Sequence, residues 1–411
     1  MTANVFILGG AQTDFARNVA REQNGILELT REAIMKTLEA CRLDAKAIES
    51  IHVGNAFGEL FTGQAHLGAM PATAIADLAG VPASRHEAAC ASGSIAILAA
   101  MSEIEAGRYD AVLVLGVEQQ KNVPGEIAAR HLGAAAWVGH EGQTARYLWP
   151  HLFSEVAEEV DRRYGLKHEH LARIAEKNFA NAKRNPNAQT RAWKFTDASF
   201  REDDEANPVV EGRLRRHDCG QVSDGSAAVI LASEEFARRH AQERGLSFSE
   251  ISRIAGWGHR TAELGLAQKF ERSAREPYLF PHVRQAILDA YRRATISGPE
   301  DLDGIETHDC FTVTEYVAID HFGITAPGES FKAIDDGSIE TTGKIPVNPS
   351  GGLIGLGHPV GASGVRMLLD AANQVSGRAE EVQIGGAEKF ATLNIGGSCT
   401  TAVSFVVAQG T

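Results

Sequence analysis

Short apolar runs and longer amphipathic stretches alternate along the chain, and this pattern predicts an α/β fold. Residues 5–8, 50–53 and 111–116 have the apolar, β-branched character of buried strands, and residues 28–40 have the period of a helix. Alternation of strands and helices is typical of a sheet with helices packed on its faces. We therefore expect a sheet that starts with the first residues of the chain.

The second half of the chain repeats this order of elements. It predicts a helix at residues 283–294, a strand ending near Glu306, a glycine-rich turn at 350–364 followed by a helix from Val365, and a last strand at 402–407. Two halves with a similar order of elements suggest an internal duplication.

Two stretches depart from simple alternation. Residues 95–101 are apolar or small all round, which predicts a central helix buried on every side. From about Lys121 to Gln221 histidines, tryptophans and basic clusters appear, and the strand pattern resumes after Val222. We interpret this stretch as an inserted, loop-rich segment.

The interpretation divides the chain into three parts. Residues 1–121 and 222–268 form an amino-terminal domain, residues 122–221 form a loop domain inserted into it, and residues 269–411 form a carboxyl-terminal domain. A length of 411 residues exceeds one hydrophobic core, which agrees with at least two packed units and favours an enzyme over a small binding module.

The charge narrows the classes of partner. A formal net charge of -13 argues against nucleic acid and anionic membranes, because both are bound through lysine and arginine. The first residues have no basic segment before an apolar stretch, and no apolar run is long enough to cross a bilayer, so the cytoplasm is the expected location. Five widely spaced cysteines fit neither a disulfide framework nor a paired zinc site, so some are candidate reactive thiols.

Cys90 is the first candidate for chemistry, because it lies where an extended segment meets the central helix. A thiol at a helix amino terminus faces unpaired backbone N–H groups and the positive end of the helix dipole, and both lower its pKa. This setting suits a nucleophile. For an isolated cysteine, packing beside neighbouring alanine and serine is the commoner role.

Two further motifs carry a histidine or a thiol. His358 precedes Pro359 in the glycine-rich stretch 348–364, which lacks the spacing of the common phosphate-binding loops. His308-Asp-Cys310-Phe follows a predicted strand, at the end where α/β folds bind ligands. Each motif alone is also compatible with a structural role.

Together these motifs resemble the thiolase family over essentially the whole chain. The resemblance is carried by Cys90-Ala-Ser, by Gly357-His358-Pro359 in its glycine-rich frame, and by the final glycine-rich turn. His308-Asp-Cys310-Phe is similar to the motif of the sterol-carrier-type subgroup, which takes its second catalytic cysteine from it. The terminal Cys-x-Gly motif of most thiolases is absent, and Leu393 stands where the subgroup has a histidine.

The resemblance implies two duplicated mixed-sheet halves in a five-layered αβαβα arrangement and a ping-pong acyl transfer. Cys90, deprotonated by His358, attacks the keto group of a 3-ketoacyl-CoA, and Cys310 protonates the departing enolate. His308 and His358 are the implied donors to the enolate oxygen, and the backbone N–H groups of Cys90 and Gly396 are the implied oxyanion hole. Coenzyme A is substrate and product, and no metal or redox cofactor is implied.

The expected partners are acyl-CoA and CoA, a second copy in a homodimer or homotetramer, and optionally a small accessory protein. The basic stretch 213–216 is a candidate for the CoA phosphates, although a solvated charged surface is the commoner role for any one of its arginines. Three alternatives stay open: a ketoacyl-synthase-like condensing enzyme, a retro-aldolase on a CoA-linked side chain, and a noncatalytic acyl-CoA-binding subunit of a complex. Decarboxylation of malonyl thioesters marks the first, and absence of covalent labelling at Cys90 marks the last.

Overall fold

The computed structural model describes residues 4–410. Its strands are β1 Val5–Gln12, β2 Ser50–Gly54, β3 Ala83–His86, β4 Ala111–Glu118, β5 Val209–Glu211, β6 Leu214–Arg215, β7 Gly225–Ser233, β8 Ser252–Thr261, β9 Gly304–Thr307, β10 Lys389–Gly396 and β11 Thr401–Gln409.

Its α-helices are α1 Ile26–Cys41, α2 Gly58–Thr62, α3 Met70–Ala74, α4 Ser92–Glu105, α5 Gly125–Leu132, α6 Leu148–Tyr164, α7 His168–Ala182, α8 Glu234–Arg244, α9 Leu266–Arg272, α10 Pro281–Ala294, α11 Thr312–Phe322, α12 Ser330–Asp335, α13 Gly352–Leu356 and α14 Val360–Val375. In the part of the chain that the structure describes, no helix combines the length and the apolar content needed to cross a lipid bilayer.

Nine strands form one mixed sheet in the order β3-β2-β4-β7-β1-β8-β11-β10-β9. From β1 outward, the pairs β1·β7 and β7·β4 are antiparallel and β4·β2 is parallel. From β8 outward, β8·β11 and β11·β10 are antiparallel and β10·β9 is parallel, so the second half repeats the first. The halves join where residues 5–7 of β1 pair with residues 252–254 of β8. The predicted α/β fold with duplicated halves is confirmed.

Helices α4 and α14 lie between the two halves. They pack on each other, and α14 contacts β4 and β7 of the first half and β10 and β11 of the second. On the outer faces α1 covers β1 and β7, and α10 covers β8 and β11. In β1, Val5 and Ile7 join the apolar cluster of α4 and α14, whereas Phe6 and Leu8 join that of α1. The result is a five-layered αβαβα arrangement.

Two central helices differ in detail from the sequence-based prediction. In α4, Ala96 and Ile97 are buried but Ile95 and Leu98 are only partly buried, so this helix is not enclosed on every side. Helix α14 begins at Val360, earlier than the predicted start at Val365. Its first turn is rich in small residues because it packs against β4, and those residues look like a turn when only the sequence is read.

The segment between β4 and β7 has more regular structure than its composition indicates. Residues 122–221 contain α5, α6, α7 and the two-stranded β5-β6 sheet, together with long connections. The segment is tied to the second half by a buried ion pair in which Lys177 of α7 lies 2.6 Å from Glu315 of α11. The domain boundaries given above remain a prediction.

Candidate active site

Cys90 projects from a tight turn between β3 and α4. Ala89, directly before it, has a φ of +50°, a left-handed conformation that alanine seldom adopts. The turn presents the thiol to a cavity of about 380 Å³. The same cavity is lined by Cys310, His358 and Gly397.

The structure brings the four predicted side chains together. The Cys90 sulfur and one ring nitrogen from each of His308 and His358 lie within 4.8 Å of one another. The two imidazole rings are nearly perpendicular, at 87°, with centroids 5.2 Å apart. The Cys310 thiol lies close enough for the charge of Cys90 to affect its pKa. Residues from three separate parts of the chain therefore meet at one point, and their catalytic roles remain a prediction.

The hydrogen bonds of His358 determine which ring nitrogen carries the proton. Its Nδ1 lies 2.7 Å from Ser363 Oγ, and that hydroxyl donates to the carbonyl oxygen of Pro359 at 3.0 Å. Because the hydroxyl has used its only proton, it accepts from His358 Nδ1–H. Nε2 is then unprotonated, and it has no hydrogen-bond partner among the described residues. One ring nitrogen of His358 lies within 4.8 Å of the Cys90 sulfur, and Nε2 is the ring nitrogen whose lone pair is not used in a hydrogen bond.

His308 is held in the opposite tautomer. Ser94 Oγ donates to Asn394 Oδ1 at 2.8 Å, and Asn394 Nδ2 lies 3.2 Å from His308 Nδ1. This arrangement makes Nδ1 of His308 an acceptor, so the proton of the neutral ring is on Nε2. His308 is therefore arranged as a hydrogen-bond donor and His358 as a base.

Backbone N–H groups of Cys90 and Gly397 face the Cys90 sulfur. The sequence motif predicted Gly396 for the second donor. Gly396 is the last residue of β10 and pairs there with Thr401, and the turn that follows directs the next amide to the sulfur. Gly396 itself packs tightly, since a β-carbon on it would lie 3.2 Å from the backbone nitrogen of Ala91.

The Cys90 thiol does not have the lowered pKa that its place before a helix suggested. Burial raises the pKa of Cys90 to about 12, and the hydrogen bonds from Gly397 and its own amide offset this only in part. Loss of hydration opposes the charged form more strongly than the helix terminus favours it. The thiol is therefore protonated at neutral pH.

The other three groups are also neutral at pH 7. Burial and the nearby Arg366 lower the pKa of His358 to about 3. Burial, followed by the effects of His358 and Arg366, holds the pKa of His308 well below its usual range. Burial, followed by Cys90, raises the pKa of the Cys310 thiol well above its usual range. The site thus contains a neutral base beside two thiols that retain their protons.

A buried carboxylate anchors the helix that follows His358. Glu118, at the end of β4, accepts hydrogen bonds from the backbone N–H of Gly361 and of Ala56, both at 3.0 Å. Its carboxylate also lies at the amino terminus of α14, where the helix dipole favours negative charge. Glu118 therefore fixes the start of α14, and with it the position of His358.

Sequence reasoning missed a buried ionic cluster below the histidines. Arg366 Nη1 lies 2.7 Å from Asp370 and 3.3 Å from Glu306, and the side chains of Arg366 and Glu306 are fully buried. Ser350 Oγ donates to Glu306 at 2.6 Å. The available signal was an arginine and an aspartate four residues apart in an otherwise apolar helix. Within this cluster it is Arg366 that, after burial and His358, helps to lower the pKa of His308.

The inserted segment supplies one wall of the cavity. Tyr147, Trp149 and Phe153 line it, and Phe153 stacks on Phe311 with ring centroids 4.5 Å apart. An aromatic wall of this kind suits an apolar ligand.

The basic stretch at residues 213–216 does not act as one patch. Arg213 forms an ion pair with Asp161 at 2.5 Å, and Arg215 pairs with Asp204 at 2.8 Å. Arg216 is exposed and lies at the cavity. Of the three arginines, Arg216 is the one positioned to meet a bound ligand.

Comparison with known proteins identifies the family of the chain. A family model of the thiolase N-terminal domain matches residues 5–235, and a thiolase C-terminal domain-like model matches residues 266–409. The acetyl-CoA acetyltransferase of Methanothermobacter thermautotrophicus is 30% identical over 410 residues, covering 99% of this chain and 100% of that protein. Human sterol carrier protein 2 is 29% identical over 404 residues, covering 95% of this chain and 70% of that protein.

Solved structures share the fold at lower identity. The Ltp2-ChsH2(DUF35) aldolase superposes with a TM-score of 0.78 at 19% identity, covering 99% of this chain and 98% of that one. Human mitochondrial 3-ketoacyl-CoA thiolase in complex with CoA superposes with a TM-score of 0.72 at 16% identity, covering 100% of this chain and 99% of that one. The two family models together span most of the sequence. The chain belongs to the thiolase family of acyltransferases.

Proposed function

We propose that this protein cleaves 3-ketoacyl-CoA with CoA, or runs the reverse Claisen condensation, through an acyl thioester on Cys90. The observation that carries the proposal is that Nε2 of His358 is buried without a partner, in a ring that has a nitrogen within 4.8 Å of the protonated Cys90 thiol. A neutral base within reach of a neutral nucleophile is the arrangement that general-base activation requires. The fold and the family restrict the reaction class, and this pair of groups supports the mechanism.

In the first half-reaction His358 Nε2 takes the Cys90 proton as the sulfur attacks the 3-keto carbon. The bond between C2 and C3 breaks, and its electron pair forms the enolate of acetyl-CoA. The Cys310 thiol gives its proton to C2, which leaves a thiolate at Cys310. The raised pKa of the Cys310 thiol suits this role, because the thiol stays protonated until the enolate forms.

In the second half-reaction the Cys310 thiolate takes the proton of incoming CoA. The CoA thiolate attacks the acyl carbon, the bond to the Cys90 sulfur breaks, and Cys90 recovers its proton from His358. The thioester already acidifies the neighbouring carbon, so the proposal involves no metal or redox cofactor.

Preorganised donors stabilise the oxygen atoms that become negative in these steps. His308 Nε2–H is the proposed donor to the enolate oxygen, together with His358 once that ring is protonated. The N–H groups of Cys90 and Gly397 are the proposed donors to the tetrahedral intermediate, with Gly396 as the residue that the family motif indicates. Loss of one such donor typically lowers the rate by about 100-fold to 1000-fold.

The cavity supports an acyl-CoA ligand. Its aromatic wall suits the acyl chain, and Arg216 is the proposed contact for a CoA phosphate. CoA is bound in the human mitochondrial thiolase complex that shares this fold. Within the family, His308-Asp-Cys310-Phe supports the sterol-carrier-type subgroup.

We also propose that the protein forms a homodimer or homotetramer and is located in the cytoplasm. The exposed edge strand β3 supports a homodimer, alone or as half of a homotetramer, and the Ltp2-ChsH2(DUF35) aldolase gives a precedent for a second protein. Five free cysteines suit the reducing cytoplasm.

The test is thiolysis of acetoacetyl-CoA and of longer 3-ketoacyl-CoAs by the purified protein. Cys90→Ala should lower turnover by at least about 1000-fold, because the covalent intermediate cannot form. Cys41→Ala is the matched control, since Cys41 is a free, buried cysteine in the apolar cluster of α1. Wild-type turnover by Cys90→Ala would contradict the proposal, and decarboxylation of malonyl thioesters without thiolysis would support the ketoacyl-synthase alternative instead.

A further inference from the structure

A buried lysine lies behind the turn that joins β10 to β11. The side chain of Lys269, on α9, is 2% exposed. Its ammonium donates to the carbonyl oxygen of Leu264 at 3.0 Å and to Ser398 Oγ at 2.9 Å, and neither acceptor carries a charge. Burying an ammonium without a bonded carboxylate costs folding free energy. The family chemistry described above makes no use of this group, so its placement needs a separate explanation.

The turn that Lys269 supports carries the amide facing the nucleophilic sulfur. Gly397 and Cys399 have φ values of +64° and +59°. Glycine adopts this left-handed conformation without strain, whereas Cys399 must be held in it by its surroundings. Ser398 lies between them. From the other side, Nε2 of His282 on α10 donates to the carbonyl oxygen of Cys399 at 2.6 Å. Two side chains from helices of the second half thus hold the turn in place.

We infer that Lys269 is a positioning residue for acyl transfer, whose ammonium fixes Ser398 and thereby aims the Gly397 N–H at the charge that develops on the acylated Cys90. The inference rests on the function proposed above. A donor that is held in place before the reaction needs no reorganisation when the charge appears, which is the basis of its catalytic value. Lys269 itself does not line the cavity and acts through the turn.

The charge of Lys269 is lost at moderately alkaline pH. Burial lowers the pKa of Lys269 to about 8, while the Cys399 thiol and the Glu141 carboxylate raise it. His282 also faces this ammonium, and burial lowers the pKa of His282 to about 4, so that ring stays neutral. Because the ammonium persists below its own pKa, its support of the turn is complete in acidic and neutral solution and declines as the pH rises through about 8.

Two substitutions test the inference from opposite ends of the hydrogen bond. Lys269→Met keeps the length of the side chain and removes the ammonium, and Ser398→Ala removes the acceptor. Each should lower kcat by about 10-fold to 100-fold and change KM by less than about twofold, because a displaced donor affects the transition state. The double variant should be no slower than the more impaired single variant, because both act through one bond. Lys332→Met, on the exposed surface of α12, is the matched control and should behave as the wild type.

A second readout separates positioning from folding. The rate at which iodoacetamide alkylates Cys90 is measured against pH in the intact protein, which requires no acyl transfer. In Lys269→Met this profile should move to higher pH, whereas a purely structural lysine would lower only the melting temperature. A folded Lys269→Met with wild-type kcat and alkylation profile overturns the inference. If Lys269→Met does not fold, a wild-type kcat in Ser398→Ala overturns the inference. Failure of the wild-type protein to form an acyl adduct would instead tell against the proposed function.

Discussion

At the scale of single residues, the chemistry of the site depends on which atoms of its two histidines and two cysteines carry protons. The hydroxyl of Ser363 leaves the lone pair of His358 on Nε2, and the amide of Asn394 places the proton of His308 on Nε2. The thiols of Cys90 and Cys310 keep their protons because burial raises the pKa of both. Hydrogen-bond partners of the two histidines and burial of the two thiols thus give one base and three donors.

The tautomer of His358 depends on Ser363, so Ser363→Ala should affect catalysis. Without the acceptor at Nδ1, His358 is free to place its proton on Nε2, where it cannot act as a base. We expect kcat to fall by about 10-fold to 100-fold, a part of the usual contribution of general-base catalysis. Ser376→Ala is the matched control, because Ser376 Oγ donates to Ala372 four residues earlier in the same way at the far end of α14. Equal activity of both variants would contradict the argument.

The pH dependence of acylation follows from the low pKa of His358. The His358 ring is unprotonated above about pH 3. The pH profile of kcat/KM reports the pKa values of essential groups in the free enzyme. The first half-reaction, measured as acyl-enzyme formation, should therefore show no acidic inflection near the usual histidine pKa of about 6.5. An inflection between about pH 6 and 7 that His358→Asn removes would contradict the burial argument.

The four site residues in distinctive motifs could be predicted from the sequence. The buried residues that set their charge state could not. Cys90, His308, Cys310 and His358 stand in short motifs, so their types and neighbours identified them. Arg366 contacts Glu306, which is distant in sequence, and only the spacing of Arg366 and Asp370 within α14 gave a local sign of the cluster. The same limit explains why the sequence suggested a lowered pKa for Cys90, since only the folded chain shows that burial outweighs the effect of the backbone N–H groups on this thiol.

At the scale of elements, glycine allows α14 to approach the sheet closely enough to place His358. A β-carbon on Gly116 of β4 would overlap the carbonyl oxygen of Gly361 and lie 2.6 Å from Cα of Ala362. A β-carbon on Gly361 would lie 2.7 Å from Cα of Asn55. The start of α14 is therefore in backbone contact with β4 and with the residue that follows β2.

Gly116→Ala should displace the start of α14. We expect the free energy of unfolding to fall by about 1–3 kcal/mol, as for other overpacked cores, with a loss of kcat because His358 precedes this helix. Gly385→Ala is the control, since a β-carbon there has no neighbour within 4 Å. Denaturant unfolding and turnover measure the two effects, and a Gly116→Ala protein with unchanged stability would contradict the close packing.

Strands and helices differed in how well the sequence predicted them. Strands β1, β4 and β11 are buried on both faces and appear as continuous apolar runs. Strand β8 was not predicted, because Gly256 and Gly258 suggest turns. The structure explains both glycines, since a β-carbon at either would overlap the backbone of α10. Helix α6 was also missed, although Leu152, Val156 and Val160 follow a helical spacing on its buried side.

At the scale of the whole molecule, the repeated halves bring their corresponding helices α4 and α14 together and leave one edge of the sheet open. Strand β9 at one end is buried, whereas β3 at the other end is partly exposed. An exposed edge presents unpaired backbone groups that readily pair with another strand. The turn that carries Cys90 follows β3 closely, so assembly at this edge would also support that turn.

Light scattering should therefore show twice the mass of one chain, or four times that mass. Ile51 donates to the carbonyl oxygen of Pro82 at 3.0 Å, so in a parallel pair the N–H of Ala83 points away from β2. Ala83→Pro removes this outward donor without removing a bond of the sheet, and it should shift the protein toward the monomer. A wild-type monomer at micromolar concentration would contradict the assembly.

The most direct test of the central claim is the mass of the protein after incubation with acetoacetyl-CoA, followed by peptide mapping. We predict one acetyl group, located on the peptide that contains Cys90, absent from Cys90→Ser and retained at least partly in Cys310→Ala. Thiolysis without any adduct, or an adduct on a different cysteine, would contradict the claim that Cys90 carries the acyl group.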